Sequence, residues 1–262
     1  MAKAISDIFI PKYSVTPTGY NIERVGTFAR VSNILAMANF GNDILDNWKY
    51  SKRRSAFNSY VLDILSAPAF DTHTSEEIMD LYDASYRVPE DYTKQSAEFG
   101  TLLHDFLEHY LTTGEIKEIQ KHPYADVNIC RDSMLKFVKD WNLGPHTTVK
   151  AECLIWSNVY KYAGCIDYVA HKDGKLYIMD WKTTGSLHTK YLLQLAAYWV
   201  ALEERAKDYG IPEKVEHVYL IRFDKVAPYY EVIDFGREQM EYYFEIFKSL
   251  INIYNFNEQV HL

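Results

Sequence analysis

Apolar residues recur along this chain with two different periods, and the change falls near residue 145. Phe99, Leu102, Leu103, Phe106, Leu107 and Tyr110 repeat at helical spacing, which predicts a helix over about residues 91–111, stopped by Thr112-Thr113-Gly114. Ser32 is placed to cap a helix reaching Ala38, and Asn42 or Asp43 to start one running past Trp48, Phe57 and Leu65. Thr74 and Glu77 have the spacing of a capping box ahead of Ile78, Leu81 and Tyr82. A further helix is predicted from Asp126 to Trp141, ended by Gly144. Residues 8–31 read as extended, with Pro17-Thr18-Gly19 turning between Tyr13-Ser14-Val15 and Tyr20-Asn21-Ile22.

From Thr148 onward the pattern shortens to that of strands. Thr148–Trp156 predicts a strand, as do Val215–Phe223 and Tyr229–Ile233, while 187–207 and 238–254 return to helical spacing. Two strand-like runs, Tyr162–Lys172 and Lys175–Lys182, flank Asp173-Gly174, the dipeptide whose tolerance of positive φ suits a two-residue hairpin turn. The order is three antiparallel strands, a helix, two strands and a helix, an α/β core behind a mainly helical N-terminal half.

The turn also sets the register. Lys172 opposite Lys175 brings Val169 opposite Ile178 and Asp167 opposite Asp180, with the two carboxylates about 5 Å apart at Cβ on one face. Lys182 projects from that face because strand side chains repeat every second residue. A loop from Asn158 to Lys161 sets Glu152, on the preceding strand, opposite Asp167. Tyr177, Met179 and Trp181 with Ile166, Tyr168 and Ala170 make the other face apolar, so the hairpin is central and covered. Unpaired charge there would cost several kcal/mol, roughly, and calls for compensation. An ion triad of Asp167, Asp180 and Lys182 supplies one kind. A divalent metal held by the opposed carboxylates supplies another, with Lys182 beside the attacking water.

Composition narrows the class. The 262 residues are 48% apolar, enough to bury a full core as one domain, and no low-complexity linker divides them. A formal charge of −8 excludes wholesale coating of nucleic acid and leaves room for a local basic groove. Cys130, Cys153 and Cys165 lie far apart, with neither zinc-ligand spacing nor an even set for disulfides, which fits a reducing, cytoplasmic compartment. No run reaches membrane-spanning length, and Met1–Asp7 has the features of neither a secretion signal nor a transit peptide. No Walker A loop is present, so no nucleotide cofactor is expected and any helicase motor belongs to a separate protein.

Gly164-x-x-Asp167 followed by Asp180-Trp181-Lys182-Thr183-Thr184, Gln194-x-x-x-Tyr198, Gly100-x-x-x-His104 and the opening Arg30-Val31-Ser32-Asn33-Ile34-Leu35 occur in an order that resembles the PD-(D/E)XK nuclease superfamily. Within it they resemble the RecB-like exonuclease branch, which takes in the mitochondrial genome maintenance exonuclease. The resemblance covers about residues 30–200, with Ile166 standing where the superfamily nominally has proline. It implies a restriction-endonuclease-like mixed sheet and a single nuclease domain over residues 1–262, a helical part at 1–145 and a catalytic core at 146–262. It implies one or two Mg²⁺ or Mn²⁺ ions held by His104, Asp167, Asp180 and the Trp181 carbonyl, with Asp167, Asp180 and Lys182 catalytic; Glu152, placed by the loop, is either a further catalytic carboxylate or a plain strand carboxylate. Gln194 and Tyr198 are implied at the DNA backbone. An iron–sulfur relative would need four cluster cysteines, and the chain has three.

On residue chemistry alone, His104 and Glu108 share a helical face and form either a metal ligand with its orienting partner or a surface pair. Gln194 and Tyr198 likewise could simply bond within the core. The implied activity is hydrolysis of DNA with single-stranded ends; an endonuclease, or a nucleic-acid binder that kept the fold without the chemistry, are the alternatives. Replacing Asp167 or Asp180 is expected to abolish cleavage with the fold retained. The densest basic stretch, Trp48 to Tyr60, interleaves Lys49, Lys52, Arg53 and Arg54 with aromatic residues. That combination suits single-stranded DNA, with charges on phosphates and rings on bases, and equally suits an amphipathic helix with a solvated basic face.

Overall fold

The structure is a computed structural model that describes residues 11–38, 42–66, 74–206 and 214–260. Among the described residues, eight strands form one mixed sheet: β1 (Tyr13–Val15), β2 (Gly19–Ile22), β3 (Gly26–Arg30), β4 (Thr148–Ser157), β5 (Tyr162–Lys172), β6 (Lys175–Lys182), β7 (Val215–Phe223) and β8 (Tyr230–Phe235). The order is β1-β2-β3-β5-β6-β7-β8, with β4 also paired to β5. β3 runs parallel to β5 and β6 parallel to β7; the remaining pairs are antiparallel. The helices are α1 (Val31–Leu35), α2 (Asn42–Ser66), α3 (Ser75–Thr113), α4 (Val127–Asp140), α5 (Thr189–Arg205) and α6 (Arg237–Gln259). This is the mixed α/β architecture expected of a restriction-endonuclease-like fold. The chain divides into two compact units, residues 1–40, 102–121 and 126–262 in one and 41–101 with 122–125 in the other.

The larger unit is built on the hairpin. Asp173 and Gly174 take φ of 52° and 75°, the positive values the turn requires. The pairing then runs as the turn dictates, Lys172 with Lys175, Val169 with Ile178 and Tyr168 with Met179. Ile166, Val169, Ile178 and Leu220 lie in one buried cluster with Leu195 and Ala197 of α5 and Phe247 of α6. Elsewhere Phe137 of α4 packs against Trp181 and Phe223, ring centroids 6.1 and 5.8 Å apart. At β4, Ser157 pairs with Tyr162, which puts Asn158 to Lys161 in the connecting loop. α4 begins as its sequence predicts, with the Asp126 carboxylate accepting the Asn128 N–H at 2.9 Å.

The smaller unit contains α2 and residues 75–101 of α3. Thr74 and Glu77 form the capping box, each side chain accepting the other's backbone N–H, at 3.2 and 2.7 Å. Trp48 packs on Tyr92 and Phe57 on Tyr82, both at 5.5 Å between ring centroids.

Two helix expectations are corrected. The helices predicted separately around residues 78–82 and 91–111 are one, and Pro89 lies inside it. A proline there loses one backbone bond, at a cost of about 3 kcal/mol, and the aromatic packing along α2 offsets it. Ser32 is not the cap of α1: that helix starts at Val31 after an extended Arg30, with no side-chain cap. The sequence pattern places β3 only within a longer extended segment. Its parallel pairing, Ala29 with Tyr162 and Arg30 with Ala163, joins the N-terminal strands to the central sheet.

Candidate active site

Three strands converge where the regular ladder gives way. On one edge of β5 the pairing with β6 stops at Tyr168–Met179, and the pairing with β3 begins only at Ala163. In the interval the Asp167 carboxylate takes over, its Oδ2 accepting the Trp181 N–H at 2.8 Å. The strand also changes face there. Ile166 and Val169 both lie in the core with α5 and α6, although strict alternation would put them on opposite faces. Tyr168, between them, has its ring 5.6 Å from Trp181. On β4 the matching position is Glu152, with φ of 46°. A left-handed conformation in a residue with a Cβ costs of order 1 kcal/mol or more, and such strain is concentrated at functional sites.

The kink gathers donors. One side-chain donor atom each from His104, Glu152 and Asp167 falls within 4.8 Å of the others. His104 Nδ1, from α3, is 3.7 Å from Asp167 Oδ1. No hydrogen bond joins His104 to Glu108 among the described residues; Glu108 acts on Glu152 instead, at a distance and by like charge. Burial chiefly, then Asp167, raises the Glu152 carboxyl above its ordinary range, and the Cys165 thiol donates to Glu152 Oε2 at 3.3 Å. Burial, reinforced by Glu152, pushes that thiol upward, so it stays protonated. An imidazole with carboxylates suits a hard to borderline divalent cation, manganese being at ease with both ligand types.

Asp180 lies near the C-terminal end of β6, 1% exposed. Burial pushes its carboxyl up to about 6, against the pull of Lys182 and with the push of Asp167. Its Oδ2 is ion-paired with Lys182 Nζ and has no hydrogen bond of ordinary geometry among the described residues. Burial pulls the Lys182 ammonium down, but Asp180 and Asp167 outweigh it, so Lys182 remains charged. Its Nζ also lies 5.0 Å from the centre of the Tyr191 ring on α5. Trp181, between the two, is buried on the other face against Tyr168 and Phe137.

α5 supplies the floor. Gln194 Nε2 donates to the Tyr198 hydroxyl at 2.7 Å, a pair within the core. Tyr198 in turn explains Gly164: a Cβ at that position would sit 2.4 Å from Tyr198 Cε1, a contact no side chain could make. Burial raises the Tyr198 hydroxyl far above its ordinary value, and the charges of Asp180 and Asp167 add to that.

Sequence reasoning did not find Tyr13, Tyr20 and Arg30 near these groups. The rings of Tyr13 and Tyr20 lie 6.0 Å apart, and the Arg30 guanidinium 6.0 Å from the Tyr20 ring. Burial first, with the charge of Glu152 among the lesser causes, raises both tyrosine hydroxyls, which places them within electrostatic range of the site. No local signal carries this, since it depends on β3 joining β5 more than 130 residues later in the chain.

Lys52, Arg53 and Arg54 lie on α2 in the smaller unit. Lys52 Nζ stands 4.8 Å from the Tyr92 ring centre and Arg53 Cζ 4.5 Å from that of Tyr86, while Arg54 is exposed. The stretch thus lies on a helix, with Lys52 and Arg53 half-buried over tyrosine rings and Arg54 exposed. No helix among the described residues is long and apolar enough to cross a membrane.

No curated protein matches the chain by sequence. The sequence pattern of one known family does, over residues 81–256, a span that takes in His104, the kinked strands, the buried Asp180–Lys182 pair and α5. With more than half its length matched in this way, the chain belongs to the PD-(D/E)XK nuclease superfamily, a group of metal-dependent nucleases.

Proposed function

We propose that this chain is a magnesium- or manganese-dependent deoxyribonuclease that hydrolyses DNA from single-stranded ends. The observation that carries the reading is the convergence of His104, Glu152 and Asp167, an imidazole and two carboxylates from three separate elements, where β4 and β5 depart from regular strand geometry. In this reading His104, Glu152 and Asp167 hold the cation, with Asp180 and the Trp181 carbonyl as further ligands. A dication so held would polarise the scissile phosphate and lower the pKa of the attacking water.

The protein's own groups have separable tasks. Asp167 serves twice, one oxygen fixing the Trp181 backbone and the other facing His104. Lys182, kept charged by Asp180, acts as a hydrogen-bond donor that orients the water and offsets charge growing on the phosphate, and not as its base. Gln194, half-buried, faces the DNA backbone with its amide, and the buried Tyr198, whose hydroxyl accepts from it, holds it in place. Arg30 supplies a cation for the strand near the acids, and Tyr13 and Tyr20 supply rings for unpaired bases. Lys52, Arg53 and Arg54 contact single strands on the smaller unit. Continued digestion of a duplex then calls for a separate helicase or recombination protein that exposes single-stranded ends, in a cytoplasmic setting.

The test uses end-labelled single- and double-stranded DNA, blocked at either the 5′ or the 3′ end, with magnesium, manganese or a chelator. Metal-dependent loss of label from one unblocked single-stranded end is the expected result. Equal cutting of circular single strands would make the enzyme an endonuclease. Absence of cleavage together with absence of calorimetric binding of either ion would remove the metal mechanism.

A further inference from the structure

α6 has two apolar stripes on opposite sides. Met240, Phe244, Phe247 and Ile251 are buried. Tyr242, Ile246, Ile253 and Phe256 are exposed, Tyr242 and Phe256 each by 64%. The outer set is displaced by two residues from the inner, which is about 200° around a helix. Apolar residues on both sides are the mark of a helix that lies between two layers. The described residues supply the inner layer only.

We propose that the outer stripe of α6 docks antiparallel on the α6 of a second copy of this chain. Tyr242, Ile246, Ser249, Ile253 and Phe256 follow one another at spacings of four, three, four and three, the repeat of a helix-pairing seam. The series is also close to symmetric about Ser249, with Tyr242 and Phe256 seven residues away on either side and Ile246 and Ile253 three before and four after. Reversed and laid on itself it sets Tyr242 against Phe256, Ile246 against Ile253 and Ser249 against its own counterpart. A two-fold interface demands this self-complementarity. The small residue falls at the centre, where crossing helices approach most closely. Beside it the surface is recessed, a cavity of about 300 Å³ lined by Tyr160, Glu245, Lys248, Ser249, Ile251 and Asn252.

Charge selects the direction. Glu238, Glu241 and Glu245 lie in the first half of α6, Glu245 paired with Lys248, whereas the second half carries Asn252, Asn255, Asn257 and Gln259 with Glu258 as its one acid. An antiparallel pair lays acids beside amides that can donate to them, whereas a parallel pair lays acids beside acids. The opposed helix dipoles favour the same choice. A helix of 23 residues offers a contact about 34 Å long, small for a protein interface, so the dimer should form in the micromolar range.

Light scattering on the full chain from about 1 to 500 μM tests association across that range, and a short bis-maleimide tests direction. The expected outcome is a concentration-dependent dimer that Ile253→Glu abolishes without changing the circular dichroism or melting temperature. Ser249→Cys should give a covalent dimer well above the wild-type background set by half-exposed Cys165. Tyr242→Cys alone should not, but should do so when mixed with Phe256→Cys. A monomer at every concentration, with no Ser249→Cys product above wild type, overturns the proposal. Self-crosslinking of Tyr242→Cys overturns the antiparallel arrangement.

Discussion

The Asp167 carboxylate accepts the backbone N–H of Trp181, 2.8 Å away across the fork between β5 and β6. A side chain has replaced a ladder bond, and its other oxygen is left to face His104. Structure and chemistry can therefore be separated at this residue. Asp167→Asn keeps an acceptor for Trp181 and loses the charge; Asp167→Ala loses both. Each should lose calorimetric binding of manganese and all cleavage, while the alanine variant should be less stable than the asparagine one by about 1 kcal/mol in urea unfolding. Manganese binding by Asp167→Ala at wild-type affinity would remove this residue from the ligand set.

Asp180 is expected to behave differently, because it is buried with Lys182. Asp180→Ala leaves the Lys182 ammonium buried with no oxygen opposite it and should cost about 3–5 kcal/mol. The sequence alone leads to the opposite expectation, a fold roughly intact after this change. Asp180→Ala combined with Lys182→Met should regain most of the lost stability and none of the activity. If the double variant is no more stable than the single one, the pair is not the source of the cost.

How much of this was legible in the sequence depends on the range of the cause. Asp173-Gly174 and the strand period fixed the hairpin locally, and with it the register that brings Asp167 towards Asp180. The Asn158 to Lys161 loop set Glu152 level with Asp167 for the same reason. The change of face at Asp167 and the positive φ of Glu152 were not legible. They are imposed by three strands meeting, and neither residue type favours them. The continuity of α3 through Pro89 was not legible either, because it rests on packing against α2 and not on a local signal. The placement of Tyr13, Tyr20 and Arg30 beside the site follows from a parallel pairing that no short motif encodes.

The buried acid also predicts a pH dependence for the metal-free protein. Burial raises the Asp180 carboxyl from 3.8 to about 6 in the folded chain, so the folded state holds a proton that the unfolded state releases between those values. Stability from this group is fully present below pH 3.8 and is lost as pH rises to about 6, then stays level. Lys182 is charged throughout, its own value being raised. The stability of wild type relative to Asp180→Asn should therefore fall with rising pH, by at most about 1.4 kcal/mol per unit, and only in that window. A difference that is flat from pH 4 to 7, or that rises, would contradict the burial of an ionised Asp180.

Gly164 offers a steric test of the α5 floor. In Gly164→Ala the new methyl would meet Tyr198 Cε1 at 2.4 Å, forcing the ring away and breaking its bond to Gln194. Overpacking of this kind costs about 1–3 kcal/mol. In a Tyr198→Leu background the same change should cost much less, since the obstructing ring is gone. Equal costs in the two backgrounds, measured by chemical unfolding, would show that Tyr198 is not what requires glycine here.

The last expectation concerns how a chain of formal charge −8 holds nucleic acid. Lys52 and Arg53 lie over tyrosine rings in the smaller unit, and Arg54 is exposed beside them. A cation over a ring has its stem packed and its charge displayed, so removing the charge and removing the packing are different operations. Lys52→Met with Arg53→Met and Arg54→Gln keeps most of the apolar stems and discards the charges. If these three groups touch phosphates, binding to single strands of any sequence should weaken together. The slope of log affinity against log salt should flatten by about 0.7 for each phosphate no longer neutralised. Turnover at saturating DNA should change little, because none of the three belongs to the His104–Glu152–Asp167 cluster. The salt slope is the decisive quantity: a variant that unfolds more easily yet keeps the wild-type slope would mean that the cations serve the packing of α2 and α3 and do not touch DNA.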